Sequence, residues 1–267
     1  MSRLAGGFDP AGWVELALAV CDEADPLAMA AYRGSREVST KADGTLVTSA
    51  DRQIERLIRE RIHAAHADHG FIGEEYGLEA AERPVRWYLD PIDGTSNFVR
   101  GVPIFATLMA VEREGTLEVA VVSAPALRTR WLAWRGGGAW SVSADGQRRR
   151  LSVSAIATIA EAHLLYASTT ALRASGAVPG LDALLAQVWR ERGFGDFWGH
   201  MLVAEGAAEA MLEFGLAAWD IAAPMLIVQE AGGRCTDLEG RSDLHGGGGF
   251  LSVNADLHHP LLTALRG

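Results

Sequence analysis

The sequence has 267 residues, of which 49% are hydrophobic and 22% are charged; these values are typical of a globular chain with a full hydrophobic core. At about 150 residues per domain, this length predicts one large domain or two packed ones. With 24 Lys and Arg against 34 Asp and Glu, the net charge is −10, which argues against a nucleic-acid partner and suits a site that collects cations.

Composition also limits the compartment and the kinds of metal site. Cys21 and Cys235 cannot form a disulfide framework or a four-ligand zinc site, and two free thiols are typical of a reducing compartment. The N-terminal segment lacks the apolar core of a signal peptide, and no run approaches the ~18 apolar residues of a membrane helix. We therefore expect a soluble, cytoplasmic protein with no membrane partner. His63, His66 and His69 drift around a helix end, so we expect no metal site there.

In the first part of the chain, apolar residues at helical spacing predict a helix over residues 11–33 that is interrupted near Pro26. A turn-rich segment follows and contains the only lysine, Lys41. Either Ser49 or Asp51 is predicted to open a second amphipathic helix.

Strand signals follow these two helices. The apolar runs at residues 71–72 and 87–89 are bounded by Gly, Glu and Asp, and predict buried strands that stop at acidic residues. Residues 104–124 alternate as two strands around a Glu-Gly turn, which predicts a hairpin. Residues 131–140 predict another strand pair around three glycines.

The arginine triplet at residues 148–150 is interpreted as a solvated loop rather than a binding patch. It marks a predicted boundary between an N-terminal α+β half, residues 1–150, and a C-terminal α/β half, residues 151–267. In the second half the pattern predicts, in order, a strand, three helices and a strand, over residues 162–168, 181–190, 199–213, 219–231 and 250–253.

The strongest chemical signal is the segment WYLDPIDGTSNF at residues 87–98. A buried strand runs directly into Asp90 and Asp93, and a proline fixes the turn between them. Gly94 permits a tight backbone, and Thr95 or Ser96 can cap a helix whose free N–H groups favour a phosphate. The segment thus offers hard oxygen ligands beside a phosphate cradle. The alternative is an Asp-Gly turn that its own side chains cap.

Three further acids lie within apolar segments or next to them. Glu74 follows a predicted strand in a Gly-Glu-Glu turn, Asp220 lies inside an apolar stretch, and Asp51 lies near Thr48. Taken singly, each also fits a surface turn or a helix cap.

Taken together, Glu74, Asp90, Asp93 and Asp220 predict a cluster of carboxylates. Four carboxylates in one cleft would raise each other's pKa unless cations neutralised them. Carboxylates without Cys or clustered His indicate Mg²⁺ rather than Zn²⁺. Two such ions ~3.5–4 Å apart can activate water and stabilise both oxygens of an in-line phosphoryl displacement.

These motifs, in this order and spacing, resemble the inositol monophosphatase family of Mg²⁺-dependent phosphatases. The likeness covers residues 41–51, GEE at 73–75, DPIDGT with the following S-NF, and WDIAAPMLIVQEAGG at 219–233. Three other segments resemble the bacterial histidinol-phosphate phosphatases of this family, namely NFVRGVP, VVSAPAL and GDFWGHMLVAEGAAE. The resemblance implies an α+β fold, a layered α/β/α/β/α sandwich, and a homodimer.

The resemblance also implies a set of metal ligands. Glu74, Asp90 and Asp93, with the carbonyl of Ile92, would hold a first Mg²⁺. Asp90, Asp93 and Asp220 would share a second. The family pattern therefore implies two ions, or three with a weaker site.

The remaining catalytic roles follow from the same resemblance. Glu74 and Asp51 would line the third, weaker site, and Thr95, oriented by Asp51, would help Glu74 to deprotonate the attacking water. The backbone N–H groups of Gly94 and Thr95 would hold the phosphate, with no covalent phospho-enzyme. Lys41 matches a basic position near the metal loop, although a solvated surface lysine is an equal alternative.

Substrate selection must come from residues outside this set. Glu213 precedes Asp220 by seven residues. The resemblance implies that the residue at this position contacts the non-phosphate part of the substrate. Asp196 replaces a small apolar residue of inositol-type members, and an added carboxylate suits a cationic amine; alternatively it caps the following helix. Arg100 replaces a frequent histidine, and in a dimer it could reach the neighbouring site.

We therefore expect a Mg²⁺-dependent hydrolase of a small-molecule phosphate monoester, with L-histidinol phosphate of histidine biosynthesis as substrate. An inositol-1-phosphatase or a broad sugar-phosphate phosphatase is the alternative within the same chemistry. A regulatory binding protein of the same fold is the alternative from another class. The N-terminal half would carry the metal and phosphate loops, and the C-terminal half Asp220 and the substrate-recognition residues.

Overall fold

Two β-sheets and the helices that cover them make up the computed structural model, which describes residues 10–34, 38–40, 46–244 and 248–267. The helices of these residues are α1 (Pro10–Arg33), α2 (Ser49–Ala65), α3 (Thr95–Arg100), α4 (Thr169–Ala174), α5 (Leu181–Leu185), α6 (Asp196–Ala204), α7 (Ala218–Glu230) and α8 (His258–Arg266). The strands are β1 (Val38–Thr40), β2 (Leu46–Thr48), β3 (Gly70–Gly73), β4 (Gly77–Glu79), β5 (Val85–Asp93), β6 (Ala106–Arg113), β7 (Thr116–Ala124), β8 (Thr129–Trp134), β9 (Gly138–Ser143), β10 (Arg148–Arg150), β11 (His163–Tyr166), β12 (Arg190–Arg192), β13 (Ala210–Phe214), β14 (Arg234–Thr236) and β15 (Gly249–Val253).

The larger sheet has the strand order β10-β9-β8-β7-β6-β5-β3-β4 and is antiparallel except between β3 and β5. The smaller sheet has the order β12-β11-β13-β15-β14, and β11 runs parallel to both of its neighbours. Strands β1 and β2 form a separate antiparallel pair. In chain order, β10 is the last strand of the larger sheet and β11 is the first strand of the smaller one. The division into two halves at residue 150 stays a prediction.

Helices lie in three layers around the two sheets. α1 and α2 pack on one face of the larger sheet, and α6 and α7 lie between the sheets, where α7 contacts β5 to β8 as well as β14 and β15. α4, α5 and α8 cover the outer face of the smaller sheet. Because both faces are covered, the central strands β6 and β7 are buried at nearly every residue. This confirms the expected layered α/β/α/β/α sandwich. None of the described helices combines the length and hydropathy needed to span a bilayer.

Several predicted elements are confirmed. α2 begins at Ser49, and Thr48 is its N-cap and accepts a hydrogen bond from the backbone N–H of Ala50 at 3.2 Å. The predicted hairpin is the β6–β7 pair, and the next predicted pair is β8–β9. These segments have strong local signals, namely helix capping and tight turns, and were therefore predicted well.

Other elements differ from the prediction where packing overrides local preference. α1 continues through Pro26, so the expected interruption is wrong, and Ala24 and Ala28 are buried in the core on either side of it. The predicted helix over 199–213 is wrong at its end, because α6 stops at Ala204 and β13 follows. β13 is an interior strand of its sheet, and such strands are as apolar as a buried helix.

Three smaller corrections concern the edges of elements. β5 does not stop at its first acid but continues to Asp93. The predicted helix over 181–190 is confined to α5, and an edge strand begins at Arg190. The arginine triplet at 148–150 is exposed as expected, but it pairs with β9 as an edge strand rather than forming a loop.

A buried ion pair of α2 fixes the turn that follows β3. Glu55 accepts hydrogen bonds from the backbone N–H groups of Glu75 at 2.7 Å and Tyr76 at 3.3 Å. Arg59 donates to the same carboxylate at 2.7 Å and to the carbonyl of Gly77 at 2.7 Å. A buried carboxylate is costly unless its oxygens are paired, and here the turn and the arginine pair them. The turn is thus held at both ends by α2.

Gly73 lets this contact form, and its substitution is the first test. A Cβ added at Gly73 would lie 2.1 Å from Glu55 Oε1, so we expect Gly73→Ala to lower the free energy of unfolding by about 1–3 kcal/mol through overpacking. Gly12→Ala is the matched control, since nothing lies within 4 Å of its added Cβ in α1. It should stabilise by about 0.5–1 kcal/mol. Urea unfolding of both variants measures this, and equal stability of the two would contradict the packing argument.

Candidate active site

A β-bulge in β5 brings two aspartates to the same side of the strand. Asp90 and Asp93 are both in register with β6, but the two residues between them oppose a single residue, Thr107. Residues three apart in a regular strand point to opposite faces, and one extra residue reverses that relation. Thr107 Oγ1 donates to the carbonyl of Pro91 at 2.8 Å and ties the bulge to β6. The Asp-Pro-Ile-Asp spacing thus directs both carboxylates into one cleft.

Two further acids complete the cluster. Glu74 directly follows β3, whose parallel pairing with β5 sets Gly73 opposite Leu89 and so places Glu74 beside Asp90. Asp220 enters from the first turn of α7. Carboxylate oxygens of Asp90, Asp93 and Asp220 all lie within 4.8 Å of one another. The structure therefore brings together the four acids that the sequence predicted as a cluster.

Three of the acids near this cleft also accept hydrogen bonds from backbone N–H groups at helix starts. Asp51 Oδ2 accepts from Thr48 N at 2.8 Å, and Asp220 Oδ2 accepts from Ala217 N at 2.7 Å, each at the N-cap of its helix. Asp93 Oδ2 accepts from Phe197 N at 2.8 Å, in the first turn of α6. Negative charge is favoured at helix N-termini. The starts of α2, α6 and α7 therefore support the cluster electrostatically.

Thr95 and Asp51 have other hydrogen-bond partners than each other. Thr95 Oγ1 donates to the carbonyl of Ile92 at 3.0 Å, and Ile92 N donates to Asp90 Oδ1 at 3.0 Å. Asp51 is fully buried, and Thr48 Oγ1 donates to its Oδ2 at 2.5 Å. Within the described residues Asp51 Oδ1 has no hydrogen-bond partner. The orientation of Thr95 by Asp51 stays a prediction.

Gly94 separates the bulge from α3. Its φ of +80° is left-handed, and a Cβ there would lie 2.8 Å from the carbonyl oxygen of Ile104. A side chain at this position would be both strained and overpacked. The turn that leads into Thr95 therefore requires glycine. Phosphate binding by the N–H groups of Gly94 and Thr95 stays a prediction.

Burial and mutual repulsion raise the pKa values of the three aspartates in this cluster, Asp90, Asp93 and Asp220. The pKa of Asp90 lies well above its usual range, because of burial and then of the charges of Glu74, Asp93 and Asp220. Burial raises the pKa of Asp220 to about 7, with added repulsion from Glu74 and Glu213, although the N–H of Ala217 lowers it. Hard oxygen donors that repel one another fit a divalent cation such as Mg²⁺. The set could hold such an ion together with the Ile92 carbonyl.

The structure gives the three predicted substrate residues different surroundings. Asp196 has a left-handed φ of +58°, and its Oδ2 accepts from Asn97 Nδ2 at 2.8 Å. It does not cap α6, whose N-cap is Gly195. The charge of Glu213, on β13, raises the pKa values of groups in the cleft. Arg100 is exposed at the end of α3, and among the described residues it forms no ion pair.

Lys41 and the histidines near the end of α2 are the remaining positions that the sequence singled out. Lys41 lies outside the described residues. His66, Asp68 and His69 place possible ligand atoms within 4.8 Å of one another, a cluster that the sequence analysis did not expect. Trp87 Nε1, however, donates to His69 Nδ1 at 3.0 Å, and the rings of His66 and His69 stack at 4.3 Å. This packing fits a structural role. A metal ion at His69 Nδ1 would displace the hydrogen bond from Trp87, and a metal ion at Nε2 would displace the proton that a neutral ring then carries there.

Sequence reasoning missed Glu55 and Arg59, which hold the turn carrying Glu74. Their spacing of four residues on α2 resembles an ordinary surface ion pair. The available signal is their position beside Ile54, Ile58 and Ile62, on the face of α2 that is buried.

Comparison with known proteins agrees with this geometry. Residues 9–266 match the model of the inositol monophosphatase family. A histidinol-phosphatase of Mycobacterium tuberculosis is 43% identical over 253 residues, which cover 94% of this chain and 96% of that protein. A histidinol-phosphatase of Streptomyces coelicolor is 41% identical, over 95% and 96% of the two chains. The crystal structure of the extragenic suppressor protein suhB from Bartonella henselae has a TM-score of 0.87 at 28% identity, over 96% of this chain and 98% of that one.

The raised pKa values predict an unusual pH dependence of stability in EDTA. Asp220 and Asp196, with pKa values of about 7 and about 6, keep protons in the folded state that the unfolded chain releases near pH 4. Their contribution to stability is complete below about pH 4 and is lost as the pH rises through 6 and 7. We expect the melting temperature in EDTA to fall by roughly 5 °C between pH 5 and pH 8.

Asp220→Asn is the matched control for this measurement. Its amide oxygen can still accept from Ala217 N, but the titrating group is gone, so the fall should be smaller than in the wild type. Identical pH profiles of the two proteins would show that Asp220 does not carry the effect.

Proposed function

Because this chain belongs to the inositol monophosphatase family, we propose that it is a Mg²⁺-dependent hydrolase that converts L-histidinol phosphate and water to L-histidinol and phosphate. The observation that carries this proposal is the convergence of Glu74, Asp90, Asp93 and Asp220 at the ends of β3, β5 and α7. The relatives named histidinol-phosphatase, similar over nearly the full chain, support the substrate.

The proposed metal ligands are those that the family resemblance implies, and the proximity of the oxygens of Asp90, Asp93 and Asp220 supports them. Glu74, Asp90 and Asp93, with the Ile92 carbonyl, would hold one Mg²⁺, and Asp220 would share a second with both aspartates. When bound, the ions neutralise the carboxylates, activate water and stabilise the leaving oxygen. A third ion would lie near Asp51, whose buried Oδ1 lacks a hydrogen-bond partner among the described residues.

The protein's own groups bind the phosphate and take up the proton. Thr95 Oγ1 donates its hydrogen to Ile92 O, which leaves the lone pairs of its oxygen to accept from the attacking water and orient it. Glu74 accepts the proton of that water, and a second water of the site would protonate the leaving alkoxide, so that the alcohol departs neutral at that oxygen. The N–H groups of Gly94 and Thr95 donate to the phosphate oxygens, and Gly94 is required for this approach because of its left-handed φ.

The specificity for histidinol phosphate would come from two extra carboxylates. Asp196 and Glu213 add negative charge beside the cluster. Histidinol phosphate carries an ammonium group, which such charge attracts. A neutral polyol offers only hydroxyl groups and gains less. Inositol 1-phosphate is the alternative substrate, because carboxylates also accept hydrogen bonds from hydroxyls.

The setting of the reaction completes the proposal. We place it in histidine biosynthesis, in the cytoplasm, where the two free and buried thiols, Cys21 and Cys235, suit reducing conditions. The enzyme would act as a homodimer in which Arg100 of one protomer could reach the site of its partner.

The first functional test compares phosphate release from histidinol phosphate and inositol 1-phosphate. With Mg²⁺ we expect kcat/KM to favour histidinol phosphate at least about tenfold, and EDTA should abolish both activities. Asp196→Asn, which tolerates the left-handed φ and can keep the contact with Asn97, should lose most of that preference while keeping the rate on inositol 1-phosphate. A preference for inositol 1-phosphate would refute the substrate. Inactivity on both would favour a regulatory binding protein.

A second functional test addresses the shared metal ligand. Asp93→Asn should fold, because its amide oxygen can still accept from Phe197 N, but kcat/KM should fall by about 10²-fold or more. Titration calorimetry should show weaker Mg²⁺ binding. Asp237→Asn is the control, since it removes a carboxylate outside the acidic cluster that likewise accepts from backbone N–H groups, in the turn after β14. Near-normal turnover of Asp93→Asn would rule out a shared ligand.

A further inference from the structure

A buried histidine lies beside Glu213 and has no role so far. His200, on α6, is 1% exposed. Its Nε2 lies 3.5 Å from Glu213 Oε2, and neither atom has a hydrogen-bond partner within the described residues. Buried polar atoms are rarely left without partners, because their desolvation is then uncompensated. Here the two unpaired atoms face each other.

The opposite side of the ring is fixed by the smaller sheet. His200 Nδ1 lies 2.8 Å from Ser252 Oγ, which is itself 3.3 Å from Cys235 Sγ. The ring of Phe250 lies 5.3 Å from the imidazole. These residues are on β14 and β15, so the imidazole is held between α6 and the sheet. It has little freedom to turn away from Glu213.

The acceptor character of the Glu213 carboxylate determines which ring nitrogen of His200 carries the proton. A carboxylate can only accept, so the proton of a neutral His200 ring belongs on Nε2, and Nδ1 then accepts from the hydroxyl of Ser252. A hydrogen bond from Nε2–H to Oε2 needs the gap of 3.5 Å to close to about 2.8 Å. A small rotation of the Glu213 side chain is sufficient.

We propose that His200 is a positioning residue for substrate selection: its Nε2–H donates to Glu213 Oε2 and directs the second carboxylate oxygen at the cationic group of the leaving alcohol. This inference rests on the proposed function. A carboxylate held by a fixed donor loses less conformational freedom when it binds an ammonium group, as second-layer contacts do for ligands in other sites. His200 itself does not touch the substrate.

Two substitutions of similar size distinguish the roles of Nδ1 and Nε2 of His200. The amide nitrogen of Gln lies where Nε2 lies in His, whereas that of Asn lies near Nδ1. His200→Gln therefore keeps the donor to Glu213, and His200→Asn loses it. We expect His200→Asn to raise KM for histidinol phosphate about tenfold with little change in kcat, whereas His200→Gln stays within about threefold of the wild type. The KM for inositol 1-phosphate should rise much less in His200→Asn, because neutral hydroxyl groups gain less than an ammonium group from a fixed carboxylate.

A double-mutant cycle tests whether His200 acts through Glu213. In a Glu213→Gln background, His200→Asn should cause no further rise in KM, because coupled residues are not additive. Equal losses in His200→Gln and His200→Asn, equal losses on both substrates, or additive effects with Glu213→Gln would each overturn the proposal. Failure of the proposed function looks different, since the wild type would then show no preference for histidinol phosphate.

A measurement on the wild-type protein does not depend on how well the variants fold. In protein with ¹⁵N-labelled histidine, L-histidinol added with Mg²⁺ and phosphate should shift the His200 Nε2–H proton resonance, because the bound ammonium group draws charge from the carboxylate that accepts this hydrogen bond. The signal is assigned by its loss in His200→Gln. An unchanged resonance at saturating L-histidinol would overturn the proposal.

Discussion

The burial of like charges in one cluster is the main constraint on this structure, because each carboxylate raises the free energy of its charged neighbours in a medium of low polarity. Asp90 lies among three other acids, and the N–H of Ile92, which donates to it from within β5 at 3.0 Å, offsets only part of their repulsion. Compensation comes from elsewhere in the fold. The starts of α6 and α7 direct backbone N–H groups at Asp93 and Asp220. The arrangement of the layers is therefore also the arrangement that makes the cluster tolerable.

The cleft depends on elements that are far apart in the chain. β3 and β5 belong to the larger sheet, whereas α6 and α7 lie between the sheets and connect to the smaller one. The hydrogen bond from Phe197 N to Asp93 joins residues 104 positions apart. Phe197, which donates to the proposed metal ligand Asp93, is thus next to the proposed substrate residue Asp196 on α6. A shift of α6 would move Asp196, His200 and Phe197 together, and under the proposed function this would couple selection of the alcohol to the geometry at the phosphate.

The sequence predicted the parts of the site that local chemistry defines. An apolar run leads directly into Asp90 and Asp93, with a proline between them and a glycine after them, and few structural roles other than ligand binding require this pattern. Asp196 was singled out because it departs from a family pattern. Glu55 and His200 could not be found in this way, since their roles depend on what packs against them. The same holds for β13, whose apolar run predicted a helix, because only the pairing with β11 and β15 makes it a strand.

The hydrogen bonds at the helix starts have a consequence for the evolution of this fold. Asp51, Asp93 and Asp220 each use one oxygen to accept from a backbone N–H group, and an amide oxygen can accept the same bond without a charge. The scaffold therefore requires an acceptor at these places but not a carboxylate. Relatives with asparagine there could keep the architecture after losing catalysis. A gene duplicate could in this way become a non-catalytic binding protein in a few substitutions, without passing through an unfolded intermediate.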